Sequence, residues 1–426
     1  MPSFTAQVFQ NEYLPERDGT VDAVVTVTAG EDVTPAATEA VEILILDRSG
    51  SMNEEGGAKI RAAREAACAA IDQLRDDVWF AVLGGNTTTE LVYPDLSEGL
   101  ARSSRVTREQ AQRRIKRVQA EEGTAIGGWL LTAGGLFAQR PAAIHHAILL
   151  TDGKNQHESA QDLDAALARC AGVFQCDCRG LGADWNVAEL RRIASTLLGS
   201  VDIIPHPSQM EQEFRSLIEA AMQKGVAAVS LRLWAPQGSK VEFVKQVSPN
   251  IEDLTGKAVP VNALTGDVPL GSWSAGESRD YHVQVTIPPG NVGDERLAAR
   301  VMLMLGDQQV SAGLVKAIWT DDERLSTRIN REVAHYTGQA ELAEAIADGL
   351  AAHEAGDERT ATVRLGRAVQ LAHESGNDDT VQLLRQVVDV DDAESGTVRL
   401  KPNVDKLTAM TLDTRSTRTV RVNKGS

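Results

Sequence analysis

Asp47-Arg48-Ser49-Gly50-Ser51 sets one carboxylate and two hydroxyls within five residues, directly behind the apolar run Val41-Glu42-Ile43-Leu44-Ile45-Leu46. A buried strand ending this way delivers three oxygen donors to one loop. Oxygen-only ligation suits a hard divalent cation, and Mg²⁺ in particular keeps several waters and takes few protein carboxylates. Softer metal chemistry finds less support. Cys176 and Cys178 lie two apart on a predicted strand and share a face. Zinc sites more often use pairs separated by two residues, and no fourth ligand joins them and Cys170. These thiols, and Cys68 among the alanines of a predicted helix, read as packing. His145-His146 precede a predicted core strand without ligand spacing to other histidines. The chain holds no Gly-x-x-x-x-Gly-Lys-[Ser/Thr] phosphate loop and no Gly-x-Ser-x-Gly nucleophile turn.

The Asp-x-Ser-x-Ser run resembles the von Willebrand factor A (integrin I-like) family, whose metal-ion-dependent adhesion site begins with it at the end of the first core strand. The resemblance implies two later pieces, and the chain contains both. Gly123-Thr124-Ala125-Ile126-Gly127 follows the basic helical stretch Arg105–Ala120 and matches the family's threonine loop. Ala147-Ile148-Leu149-Leu150-Thr151-Asp152-Gly153, an apolar strand running into a carboxylate, matches its aspartate loop. The metal site implied by the resemblance is thus Asp47, Ser49, Ser51, Thr124 and Asp152, with Mg²⁺ expected and Mn²⁺ or Ca²⁺ as alternatives. In the family the serines, and in one state the threonine, bind the metal directly, while the aspartates often act through water. An open position takes an Asp or Glu carboxylate from a partner protein, because a hard cation held mostly by neutral hydroxyls retains its charge.

This implies a non-catalytic interaction module. A haloacid-dehalogenase-like phosphatase needs Asp-x-Asp, and position 49 is serine. Two alternatives stay open: an adaptor for a MoxR-type or chelatase-type AAA+ ATPase, and a Mg²⁺-dependent phosphohydrolase using a metal-held water. His157, close after Asp152, and Trp185, at a predicted strand end on the metal face, are further partner-binding candidates.

The elements that must position these residues divide the chain. Residues 41–224 alternate strands and helices, the pattern of a doubly wound, mostly parallel α/β sheet whose ligands sit beyond the strands' carboxyl ends. Residues 225–320 carry only β signals separated by Gly, Pro, Asn and Asp, as in an antiparallel sandwich. The strands of residues 1–40 are expected to complete it, which makes the A-type domain an insertion. Residues 321–392 read as helices, Glu323–Thr337, Ala340–Glu354, Asp357–Ser375 and Asp378–Val388, with a tetratricopeptide-like hairpin among them.

Residues 393–426 form a basic, Thr-rich tail. From Gly396 onward seven basic residues face two acidic ones, and sparse apolar residues predict disorder. Thr411, Thr414, Thr417 and Thr419 are candidate phosphosites. Similar actinobacterial A-domain proteins are encoded beside Ser/Thr kinases, phosphatases and forkhead-associated proteins, so the resemblance adds such partners.

With 426 residues the chain should hold two or three domains. A net charge of −17 argues against nucleic-acid binding through phosphates. No basic-then-apolar leader is visible and no run approaches the ~20 apolar residues of a membrane span, so a cytoplasmic location is expected.

Overall fold

Strands β1 (Phe4–Gln10), β2 (Tyr13–Leu14) and β3 (Thr20–Ala29) open a computed structural model that describes residues 2–35, 39–95, 99–121 and 123–422. The chain forms two compact units. One comprises Thr34–Ala227 with Gly271–Ser274, the other Met1–Val33, Ala228–Leu270 and Ala275–Ser426.

The first unit is the doubly wound α/β fold. Strands β4 (Ala40–Asp47), β5 (Trp79–Gly85), β6 (Thr89–Tyr93), β7 (Ala101–Arg102), β8 (Ile144–Thr151), β9 (Gln175–Leu181) and β10 (Val201–Ile204) lie in the order β10-β9-β8-β4-β5-β6, with β7 also on β5. The five from β10 to β5 are parallel; β6 and β7 run against β5. Helices α1 (Glu54–Asp72), α2 (Arg105–Ile115), α3 (Ile126–Phe137), α4 (Ala160–Cys170), α5 (Val187–Thr196) and α6 (Met210–Met222) accompany the sheet. Strand β4 is buried over its whole length, which explains its unbroken apolar run. Leu44 and Leu46 share one core cluster with Ala63 and Ala67 of α1 and Phe214 and Ile218 of α6.

The second unit is a β-sandwich with helices. Its strands are β11 (Lys224–Trp234), β12 (Lys240–Ser248), β13 (Glu252–Asp253), β14 (Val259–Asn262), β15 (Thr265–Ser274), β16 (Ser278–Thr286), β17 (Glu295–Leu305) and β18 (Gln308–Trp319). One sheet runs β1-β3-β16-β12-β13, the other β14-β15-β11-β17-β18-β2. The N-terminal strands therefore complete the sandwich, and the α/β unit is an insertion in its sequence.

Helices α7 (Glu323–Ser326), α8 (Arg331–Glu354), α9 (Glu358–Ser375) and α10 (Asp378–Val387) follow, then the hairpin β19 (Val388–Asp392) and β20 (Thr397–Leu400), and α11 (Lys406–Arg415). The break expected after Thr337 falls earlier. Helix α8 runs through Gly338 and starts at a cap where Asn330 Oδ1 accepts from Glu332 and Val333 N–H. Ile346 of α8 packs with Leu365 and Val369 of α9, closing the hairpin.

The disorder expected of residues 393–426 is corrected for those up to 422. Apolar residues are few there, but each is used: Val398 and Leu412 enter the core of α8, α9 and α10. Asp405 caps α11 through Thr408 N–H. Beyond that helix the chain is pinned, with Ile251 N donating to Thr417 O at 2.8 Å and Thr419 N to Pro249 O at 2.9 Å. Gln339 grips Val420 by both its N–H (2.8 Å) and its carbonyl (2.7 Å). Arg421 pairs with Asp280 at 3.1 Å, so a basic tail meets acidic partners in its own unit. Residues 423–426, Lys424 included, lie outside the described residues.

Candidate metal centre

Strands β4 and β8 pair in parallel with Leu46 opposite Leu150, so Asp47 and Thr151 end the two strands side by side. Thr151 Oγ1 donates to Asp47 Oδ2 at 2.5 Å, and Ser49 N–H to Oδ1 at 2.7 Å. The chain then turns through a 3₁₀ segment, Gly50–Asn53, which Met52 anchors in the core. The hydroxyls of Ser49 and Ser51 come within 3.0 Å of each other. Ser51 Oγ donates to Asp152 Oδ1 at 2.6 Å, joining the first loop to the residue after β8.

Thr124 enters from the loop before α3. Its N–H donates to His157 Nδ1 at 3.1 Å, and His157 N–H donates to its carbonyl at 3.0 Å. A Cβ on Gly153 would lie 3.3 Å from Ser51 Oγ and 4.0 Å from Thr124 Oγ1. Glycine thus leaves these two hydroxyls facing one small space. The loops are tied further by Arg48, whose carbonyl accepts from Glu121 N–H at 2.6 Å and whose guanidinium pairs with Glu121 at 3.0 Å.

Asp47, Ser49, Thr124 and Asp152 are buried and Ser51 half-buried. Burial pushes the Asp47 carboxyl up to about 6, against the hydrogen bonds from Ser49 and Thr151 that hold it down. Among the described residues no cation is placed against it. On Asp152, by contrast, Lys59 Nζ of α1 sits 2.8 Å from Oδ2. Burial works against the charge on Lys59, yet Asp152 and Glu54 together outweigh it and raise the ammonium's pKa.

Two carboxylates and three hydroxyls from three loops form an oxygen-only donor set, the chemistry a hard divalent cation takes. Among the described residues no group of three His, Cys, Asp or Glu side chains is placed to hold a metal. A cation bound here would therefore depend on hydroxyls. Cys170, Cys176 and Cys178 are buried and Cys68 half-buried, all as free thiols, and burial pushes Cys68 and Cys170 up to about 11.

The remaining candidates separate. His157 is exposed and holds the backbone of the threonine loop. Trp185 is 2% exposed, its Nε1 donating to Gly182 O at 2.9 Å. A Cβ on Gly180 would fall 2.0 Å from its ring, so the indole plugs the end of β9. Thr411 and Thr414 are buried on α11, whereas Thr417 and Thr419 are half-buried in the segment after it.

Sequence reasoning missed Lys59, which looks like an ordinary helical lysine, and Thr151, whose place before Asp152 at a strand end was the available signal. It also missed a charged cluster at the opposite end of the sheet. His146 of β8 lies between Glu42 of β4, at 2.9 Å from Nδ1, and Asp177 of β9, at 3.0 Å from Nε2. Burial disfavours the imidazolium, but the two carboxylates push its pKa up to about 10. Asp177 also accepts from Ser200 N–H and Oγ at 2.7 and 2.6 Å. Next to it Arg179 pairs with Glu213 at 2.6 Å.

A doubly wound, mostly parallel sheet with clustered oxygen donors beyond its central strands defines an A-type domain. The chain belongs to the von Willebrand factor type A domain proteins. The von Willebrand factor type A domain matches residues 39–203, and the von Willebrand factor type A C-terminal domain matches residues 370–416. A von Willebrand factor type A structure from Catenulispora acidiphila is 49% identical, with a TM-score of 0.93 over 99% of this chain and 98% of that one. The ArnB paralog VWA2 from Sulfolobus acidocaldarius aligns over 99% of this chain and 100% of its own with a TM-score of 0.63. At 15% identity that is a likeness of fold alone. An uncharacterized protein of Synechocystis is 31% identical over 220 residues, 50% of this chain and 49% of that protein; the chain thus spans about half the length of this curated relative. Domains of this family are generally metal-dependent protein-interaction modules, typically without enzymatic activity. No helix among the described residues is long and apolar enough to cross a membrane.

Proposed function

We propose that this protein is a non-catalytic interaction scaffold in which Mg²⁺, held by Asp47, Ser49, Ser51, Thr124 and Asp152, captures an Asp or Glu carboxylate of a partner protein. The observation that carries this reading is the convergence of Ser49, Ser51 and Asp152 through contacts of 3.0 and 2.6 Å beyond the ends of β4 and β8. Mg²⁺, when bound, supplies an open coordination position to an anionic oxygen. The chain's own residues do the rest. Ser49, Ser51 and Thr124 offer neutral donors that leave the ion's charge largely uncompensated. Thr151 and Ser49 N–H fix the orientation of Asp47, and His157 fixes the threonine loop.

The test is affinity capture from lysate of the source organism in Mg²⁺ and in EDTA, with Asp47→Ala as control bait. A protein retained by the wild type in Mg²⁺, and lost both in EDTA and with Asp47→Ala, is the expected result. Partners indifferent to metal and mutation would sink the reading.

A further inference from the structure

Lys59 sits in the second turn of α1 and turns inward to the ends of the strands. Its side chain is 10% exposed, between Asp152 at 0% and Glu54 at 62%. Nζ is 2.8 Å from Asp152 Oδ2 and 3.2 Å from Glu54 Oε2. The other oxygen of Asp152 accepts from Ser51 Oγ. Lysines are rarely buried to this degree unless paired, and this one is paired with a residue of the candidate metal centre.

We infer that Lys59 is a built-in counter-cation that sets the charge of the metal centre and restrains its affinity for divalent ions. The inference rests on the metal reading above and extends it to a residue outside the five. Asp47 and Asp152 contribute two negative charges and Lys59 one positive, so the donor set with its lysine carries a single negative charge. A divalent ion added to that set leaves an excess positive charge facing an anionic ligand. Without Lys59 the sum is neutral, the ion is held harder, and the pull on a partner carboxylate weakens. The ammonium and a divalent ion would also draw on the same carboxylate, that of Asp152. Glu54 modulates this from outside, because its carboxylate shares the ammonium.

A purely orienting lysine makes the opposite prediction: its loss would free Asp152 and weaken metal binding. The sign of the effect decides between the two. Mn²⁺ alone is titrated calorimetrically into the full chain and into Lys59→Met, Lys59→Arg and Glu54→Gln, with melting in EDTA to check folding. Lys59→Met is expected to bind Mn²⁺ about tenfold tighter than wild type, and Lys59→Arg within about twofold of it. Glu54→Gln, at an exposed position, is expected to bind about threefold more weakly, since the lysine is left to Asp152 and a negative charge is gone. Equal or weaker binding by Lys59→Met overturns the inference. Should Lys59→Met not fold, Glu54→Gln decides alone, and an unchanged affinity there overturns it. A wild type that takes up no Mn²⁺ removes the metal reading itself; a wild type that binds while these variants fail to diverge removes only the role of Lys59.

Discussion

Strands β4 and β8 carry polar groups at both ends, and the two ends treat charge differently. Toward the amino end Glu42, His146 and Asp177 stand in a row across three strands, and Arg179, two residues further along β9, pairs with Glu213. Each carboxylate has a cation next to it. At the carboxyl end, about 17 Å further along β4, Asp47 is buried with only neutral donors, Thr151 Oγ1 and Ser49 N–H, on its oxygens. Of the two aspartates there, only Asp152 has a cation partner among the described residues. Charge that is matched inside the sheet serves the architecture. Charge left unmatched at its rim is available for something arriving from outside.

That contrast can be broken by mutation. The largest expected effect is His146→Ala, which leaves Glu42 buried without its cation and takes one partner from Asp177; it should lower stability by about 3–5 kcal/mol in urea unfolding, leaving Mn²⁺ affinity within about twofold. A loss of metal affinity to match would mean that the two ends are one energetic unit. Next comes Asp47→Asn at the other end. Metal affinity should fall at least ~100-fold, about 2.7 kcal/mol, while stability in EDTA stays within about 1 kcal/mol. A desolvated charge leaves, and at most one hydrogen bond leaves with it. A large drop in melting temperature in EDTA would contradict this.

The smallest effect per step is the pH dependence. The pKa of His146 is raised from near 6.5 in the unfolded chain to about 10 in the fold. Its stabilisation is therefore fully present below pH ~6.5 and lost as pH rises toward 10. Within that window the stability gap between wild type and His146→Ala should shrink by up to about 1.4 kcal/mol per pH unit. A gap that stays constant from pH 7 to 9 would show that the imidazole is held neutral.

Much of the fold and of the rim was legible because its signals are local. Asp47, Ser49 and Ser51 lie within five residues, and continuous apolar runs mark β4 and β8 as buried parallel strands. Thr124 and Asp152 needed the family resemblance, since nothing local ties them to Asp47. The amino-end cluster left no trace of that kind. Its members are 104 and 31 residues apart and meet only through the order of β9, β8 and β4. Glu42 alone hinted at it, as an acid inside an apolar strand. Tail order was missed for another reason: apolar density is low there, and what counts is that Val398 and Leu412 each find a core.

The position of β3 between β1 and β16 has a consequence for how the chain is made. Thr26 Oγ1 donates to Asp280 Oδ1 at 2.6 Å across 254 residues of sequence. During synthesis β1 and β3 therefore emerge long before the strand that covers them. Val21-Asp22-Ala23-Val24-Val25-Thr26-Val27 is β-branched, nearly uncharged and free of proline, the composition of a sticky edge. The α/β unit, almost wholly contiguous in sequence, can fold during that wait, and its collapse shortens the loop that β3 and β16 must close. Until then β3 presents an unpaired, apolar edge of the nascent chain.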